Sequence, residues 1–295
     1  MVNFILRVKL SLRFIAQKAS EWTAAIYAVA GLLSIIVSFE GIFSNDASFW
    51  YKLLMAVLAL VGIWLICFII VLIRVGCRTK KKVLDGHNGK AVYVVYGDIF
   101  DASLVNDCKR YISFAVNRCF DTEVNDRLVS ANTVHGMAFN RLYNSNQYTP
   151  ASLNSAIQAS IKGTPTFVTL TQREKPEGNL NRYEVGTYAN LPINNNLNYL
   201  LLGLSSFDSN LNAQTSKQDY VLAIQKMIEY FDMEAQGYPV LIPIIGTGKS
   251  RADLKEREAL EYMIEAFRIN QTKITSDVYI VVYESAKNRV SIADL

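Results

Sequence analysis

The stretch Leu241–Ser250, LIPIIGTGKS, closes an apolar run on a glycine turn, and its reading decides what the chain from residue 83 onward is. A triphosphatase loop has the form G-x-x-x-x-G-K-[ST]. Counted back from Gly248, its first glycine would fall on Pro243. Proline locks φ and carries no N–H, so it does not open a nest of phosphate-wrapping backbone donors. The GKS does not mark that loop. What survives is a strand, a tight turn containing Gly246 and Gly248, and a helix whose free N–H groups suit an anion. An ordinary strand-to-helix turn fits the same letters.

Around this stretch, short β-rich runs alternate with amphipathic helical patterns. Strands are predicted at 91–99, 110–117, 166–170, 183–189, 198–207, 239–246 and 277–284, and helices at 130–143, 151–162, 217–235 and 253–269. Near-continuous apolar strands between helices imply an α/β fold with the sheet covered on both faces. In such sheets ligands collect at the C-terminal strand ends. Three segments stand there: GDIF at 97–100, AVNRCFD at 115–121 and IIGTGKS at 244–250. Asp98, at a strand end, can accept a hydrogen bond from an exocyclic amine or simply cap a turn.

Charge separates the two ends of the chain. The first 82 residues hold 10 Lys/Arg against 3 Asp/Glu, and the remainder 20 against 23. The surplus positive charge is therefore N-terminal, which suggests a membrane surface and excludes a domain-wide nucleic-acid patch. Two uncharged runs follow the basic leader, WTAAIYAVAGLLSIIVSF (22–39) and LLMAVLALVGIWLICFIIVLI (53–73). Each approaches the length that crosses a bilayer, so a hairpin of transmembrane helices at about 22–43 and 50–74 is expected. Arg7, Lys9, Arg13 and Lys18 precede the pair, and Arg74, Arg78 and Lys80–Lys82 follow it, while EGIFSNDAS between them is acidic. That pattern puts both termini in the cytoplasm. The leader RVKLSLRFIAQK reads equally as an amphipathic surface segment or as disordered. Ala25, Ala28, Gly31 and Ser34 form a small-residue face that would allow close helix packing. The expected division is a membrane region at 1–82 and a cytoplasmic domain at 83–295, with LDGHNGK (84–90) as linker. Cys67, Cys77, Cys108 and Cys119 have no metal-type spacing, and no metal is expected. They read as reduced thiols, with Cys77 an acylation candidate.

The order VVYGDIF, a strand ending in Asn117, LLLGLSSF, then PIIGTGKS before a helix resembles the macro domain over roughly residues 90 to 285. The resemblance implies a three-layer α/β/α mixed sheet that binds ADP-ribose and related nucleotides. By it, Asp98, Ile99 and Phe100 approach the adenine, and Ser205, Ser206 and Phe207 the adenosine side. Gly246, Thr247 and Gly248, with Lys249 and Ser250, cradle the diphosphate. Asn117 matches the first asparagine of the family's V-N-A-A-N, but its second falls on Phe120. Asp121 remains a candidate for the distal ribose, and His135 sits in a helix nearby. The altered loop, NRCFDTEVNDRLVSANTVHG, argues for binding without catalysis.

A membrane hairpin joined to such a domain resembles the transmembrane macro effectors of bacterial Thoeris anti-phage defence. That resemblance implies an inner-membrane receptor without a cofactor, whose ligand is an ADP-ribose derivative made by a TIR-domain enzyme. Histidine-linked ADP-ribose is one candidate. It further implies partners in the lipid bilayer and in other copies of the chain, a tetramer being one arrangement, and a response that disrupts the membrane. The alternative is a membrane-tethered ADP-ribosyl hydrolase.

Overall fold

The computed structural model describes residues 2–36, 48–105, 109–163, 165–247, 254–283 and 289–295. The chain divides into two compact units, Met1–Thr79 with Ser291–Leu295, and Lys80–Val290.

The first unit is helical: α1 (Val2–Leu10), α2 (Leu12–Ile36) and α3 (Phe49–Cys77). Lys52 and Arg74 are the only charges in the 29 residues of α3, which make a helix about 43 Å long. Among the described residues α3 is the one helix long and apolar enough to cross a membrane. Residues 22–36 of the first expected span continue α2, while 37–43 and most of the acidic connector lie outside the described residues. The basic leader is helical and breaks at Ser11. Arg7 explains part of that order. Its guanidinium donates to the carbonyls of Gly76 at 3.1 Å and Arg78 at 3.3 Å, where a helix end leaves acceptors unpaired and favours a cation. Gly76 is needed there, because a Cβ would sit 2.1 Å from the Phe4 ring. Trp64 Nε1 donates to Ser20 Oγ at 3.1 Å and joins α3 to α2. Ala25, Ala28 and Gly31 are exposed.

Ile15, Val71 and Val75 bury Ala293 between them. The last five residues, expected to close the cytoplasmic domain, thus pack within the helical unit.

The second unit carries an eight-stranded mixed sheet. Its strands are β1 (Lys80–Asp85), β2 (Ala91–Tyr96), β3 (Arg110–Asn117), β6 (Tyr188–Asn194), β7 (Leu197–Phe207), β8 (Ala213–Gln214), β9 (Val240–Pro243) and β10 (Val278–Val282). The order is β1-β2-β10-β9-β3-β7-β6, with β8 on β7. Strands β2, β10, β9, β3 and β7 are parallel to their neighbours in that series, and β1, β6 and β8 are antiparallel additions. Strands β4 (Phe167–Thr169) and β5 (Asn181–Tyr183) form a separate ribbon.

Alternation along β3 builds the three layers. Ile112, Phe114 and Val116 face α4 (Val134–Asn144) and α5 (Pro150–Ser160), where Phe139, Leu142, Leu153 and Ile157 complete one core. Ser113 turns the other way, toward Tyr188. Tyr188 stacks on Tyr230 of α6 (Lys217–Glu234) at 4.1 Å. Helix α7 (Glu256–Ile269) lies beside α6 through Tyr220 and Tyr262. Local signals start these helices: Thr149 caps α5 with Pro150 in its first turn, and Ser216 caps α6.

Two sequence expectations shift. The strand expected at 183–189 is broken by a turn in which Gly186 has φ +76° and Thr187 N donates to Glu184 O. Its halves become the end of β5 and the start of β6. The expected boundary at 82/83 falls inside β1, whose Lys80 ammonium lies 3.9 Å over the Tyr93 ring and 4.5 Å over Tyr279. A lysine stem on aromatic rings is how a basic segment becomes a strand at a sheet edge.

Candidate functional site

A cavity of about 750 Å³ opens at the C-terminal ends of β2, β3, β7, β9 and β10. That volume is within the ordinary range for a small-molecule site. Asp98, Ile99, Asn117, Ser205, Phe207, Gly246 and Thr247, expected from sequence, all line it. Phe100 does not; it packs against the core, with the Arg141 guanidinium 4.4 Å over its ring. Ser206 alternates away from Ser205 and Phe207 and pairs with Gln214 of β8. Gly248, Lys249 and Ser250 lie outside the described residues.

The glycine turn is set by its backbone. Gly246 has φ +94°, and a Cβ there would lie 2.7 Å from the Tyr220 ring. Tyr220 Oη in turn donates to Ile245 O at 3.1 Å, which ties the turn to α6. Across the cavity, Asp98 Oδ1 accepts from Phe100 N at 3.0 Å, and its other oxygen is 3.7 Å from Arg141. Asp98 therefore closes a turn and still presents a partly exposed carboxylate to the cavity.

The loop after β3 is held from within. Asn117 Oδ1 accepts from Cys119 N at 3.1 Å and Asp121 N at 3.3 Å. Its Nδ2 is buried without a partner. Phe120 takes φ +53° and is 1% exposed, so it fills the core where the family has its second asparagine. Asp121 is the main departure from the sequence reading. It does not line the cavity; it pairs with Lys175, with both side chains essentially inaccessible. Lys175 Nζ donates to Asp121 Oδ1 at 3.1 Å, Glu177 O at 2.6 Å and Asn179 O at 2.9 Å, which uses all three ammonium protons. Asn179 N donates to Asp121 Oδ1 at 2.6 Å. Burial raises the Asp121 carboxyl, and Lys175 draws it back toward the charged form. Nothing local in the sequence announces a partner 54 residues away.

The segment 126–133 forms another wall; the helix expected at 130–143 starts only at Val134, so residues 130–133 belong to this loop. Asp126, with φ +61°, accepts from Ser130 Oγ and Ala131 N. Thr133 Oγ1 accepts from Gly136 N and starts α4. His135, in that first turn, lines the cavity, and its Nε2 is buried without a partner. Burial pushes the imidazole down to about 3, against an opposing hydrogen bond that the ring donates to the Asp121 backbone. Its folded value lies below the ordinary 6.5, so the unfolded chain binds more protons between those limits. Stability then falls as pH drops from 6.5, by up to about 1.4 kcal/mol per pH unit. We expect about 2 kcal/mol of such loss by pH 5 and its absence in His135→Gln. Melting curves of both proteins at pH 7 and pH 5 measure it; equal pH sensitivity would discard the buried neutral imidazole.

Strands β2, β10, β9, β3 and β7, helices on both faces and a cavity at the strand ends define an α/β domain of the macro type. The family model described as "Thoeris protein ThsA, Macro domain" matches residues 92–283, and the chain belongs to that family. The Thoeris protein ThsA of Bacillus amyloliquefaciens (strain Y2) is 25% identical over 244 residues, 81% of this chain and 77% of the relative. A mutant of the Oceanobacillus iheyensis macrodomain aligns with 72% of this chain and 93% of its own, at 14% identity and a TM-score of 0.33. The same macrodomain with MES bound covers 71% and 92%, at 14% identity and 0.31. The family match, not those scores, carries the assignment.

Proposed function

We propose that the cavity binds an ADP-ribose-type nucleotide and that the chain is the membrane-anchored receptor of a TIR-made signal in anti-phage defence. One observation carries the reading: Asp98, Asn117, Ser205 and Gly246, far apart in sequence, line one cavity at the strand ends. A carboxylate at one side suits an exocyclic amine, and a glycine turn ahead of a helix suits a diphosphate. Binding without turnover is favoured because position 120 is a core phenylalanine and Asp121 is committed to Lys175.

In this reading α3 and the apolar part of α2 span the bacterial inner membrane, with both termini cytoplasmic by the charge pattern. Ligand binding shifts an equilibrium among oligomers, which disrupts the bilayer. The shift is limited by the ligand's differential affinity for the two states.

The test is calorimetry on the full chain in lipid nanodiscs, with ADP-ribose, histidine-linked ADP-ribose, NAD and ATP. Selective binding of an ADP-ribose derivative, weakened about tenfold or more by Asp98→Ala, is expected. Absence of binding by all four rejects the receptor. Release of ADP-ribose from a modified protein would instead support the tethered hydrolase.

A further inference from the structure

Beyond β10, Tyr283 and Arg289 both line the cavity. The Arg289 guanidinium meets the Glu256 carboxylate at 2.7 Å, and both residues line the cavity, as do Gly246 and Thr247. Glu256 is the first residue of α7, the helix after the glycine turn. The Arg289 side chain is 59% exposed and that of Glu256 20%, so solvent screens the guanidinium half of the pair while the carboxylate is largely covered.

The backbone next to Arg289 is firmly held. Val290 is fully buried, and its carbonyl accepts from Tyr96 Oη at 2.8 Å. A long cationic side chain on a fixed backbone, in a partly screened pair at a cavity wall, can change partners without moving the chain.

We propose that Arg289 is a ligand-binding residue that exchanges Glu256 for the phosphates of the bound molecule, and that Glu256 is the built-in competitor that sets the affinity. The guanidinium fork matches phosphate oxygens bidentately, and a diphosphate brings more negative charge than one carboxylate. Glu256, left beside that anion, opposes it. The ligand class is therefore a molecule with a phosphate or diphosphate group. The inference rests on the nucleotide reading above only for the rest of the ligand.

Calorimetry on the full chain in nanodiscs, with ADP-ribose, inorganic pyrophosphate and adenosine as probes, separates the two. Arg289→Ala should weaken ADP-ribose and pyrophosphate about tenfold or more and leave adenosine unchanged. Glu256→Gln should tighten both phosphate probes several-fold, an effect of opposite sign that damage to the fold would not produce. Pyrophosphate binding that depends on Arg289, without ADP-ribose binding, would keep this inference and reject the nucleotide receptor. Unchanged phosphate affinity in Arg289→Ala, weakened affinity in Glu256→Gln, or no phosphate binding by the wild type would overturn it.

Discussion

Lys175→Met is expected to destabilise the sheet-bearing unit by about 3–5 kcal/mol, because it leaves the Asp121 carboxylate buried without its partner. Domains are commonly stable by only about 5–15 kcal/mol, so that loss threatens folding itself. Lys175 also satisfies the carbonyls of Glu177 and Asn179, and methionine would leave those acceptors bare. Asp121→Asn should cost a similar amount by stranding the ammonium. The double replacement should be milder than the sum of the singles, since neither charge is then left uncompensated. Thermal melting followed by circular dichroism gives all four values. Additive losses would mean that the two side chains do not depend on each other, against the geometry described above.

Gly136→Ala should also be destabilising, though alanine normally improves a helix. In an ordinary helix interior the change gains up to about 1 kcal/mol. Here the added Cβ would lie 2.1 Å from Ser130 O, 2.7 Å from its carbonyl carbon and 2.9 Å from Ala131 Cα. These are backbone atoms, which cannot turn aside as a flexible side chain does. Either the start of α4 shifts or the 126–133 wall moves outward. Overpacking and a weakened Thr133 cap together give a loss of about 2–4 kcal/mol. The displaced wall should lower affinity for whatever occupies the cavity. A melting point raised by Gly136→Ala would show that the loop does not cross the helix at this distance.

Most regular elements of the sheet-bearing unit were legible from pattern. Strand β3 was expected at 110–117 and occupies those residues, because a run with six of its eight residues buried carries a near-continuous apolar signature. The helices expected at 151–162 and 217–235 lie within two residues of α5 and α6, since Thr149-Pro150 and Ser216 announce their starts. Strand β1 was missed because Lys80–Lys82 read as the basic flank of a membrane segment. Its place depends on Tyr93 and Tyr279, which no window around residue 80 contains.

The site was legible to the extent that it is made of strand ends. Asp98, Asn117 and Gly246 could be named because a strand followed by a turn puts its last residues at the sheet edge, whereas Ser205 was named only through the macro-domain resemblance. Asp121 looked the same in the sequence and is in the core, paired across 54 residues.

By itself the sequence determined the alternating α/β order, the apolar stretch that becomes α3, and the incompatibility of Pro243 with a triphosphatase loop. These follow from local conformational preference and side-chain period, which a window of ten to twenty residues contains. Tertiary structure alone decided that Lys175 neutralises Asp121, that Gly136 must lack a side chain, that Glu256 faces Arg289, and that Ser291–Leu295 packs with α2 and α3. Each of those depends on which distant atoms share one small volume. Close packing and the cost of burying an unpaired charge act only after the chain has folded.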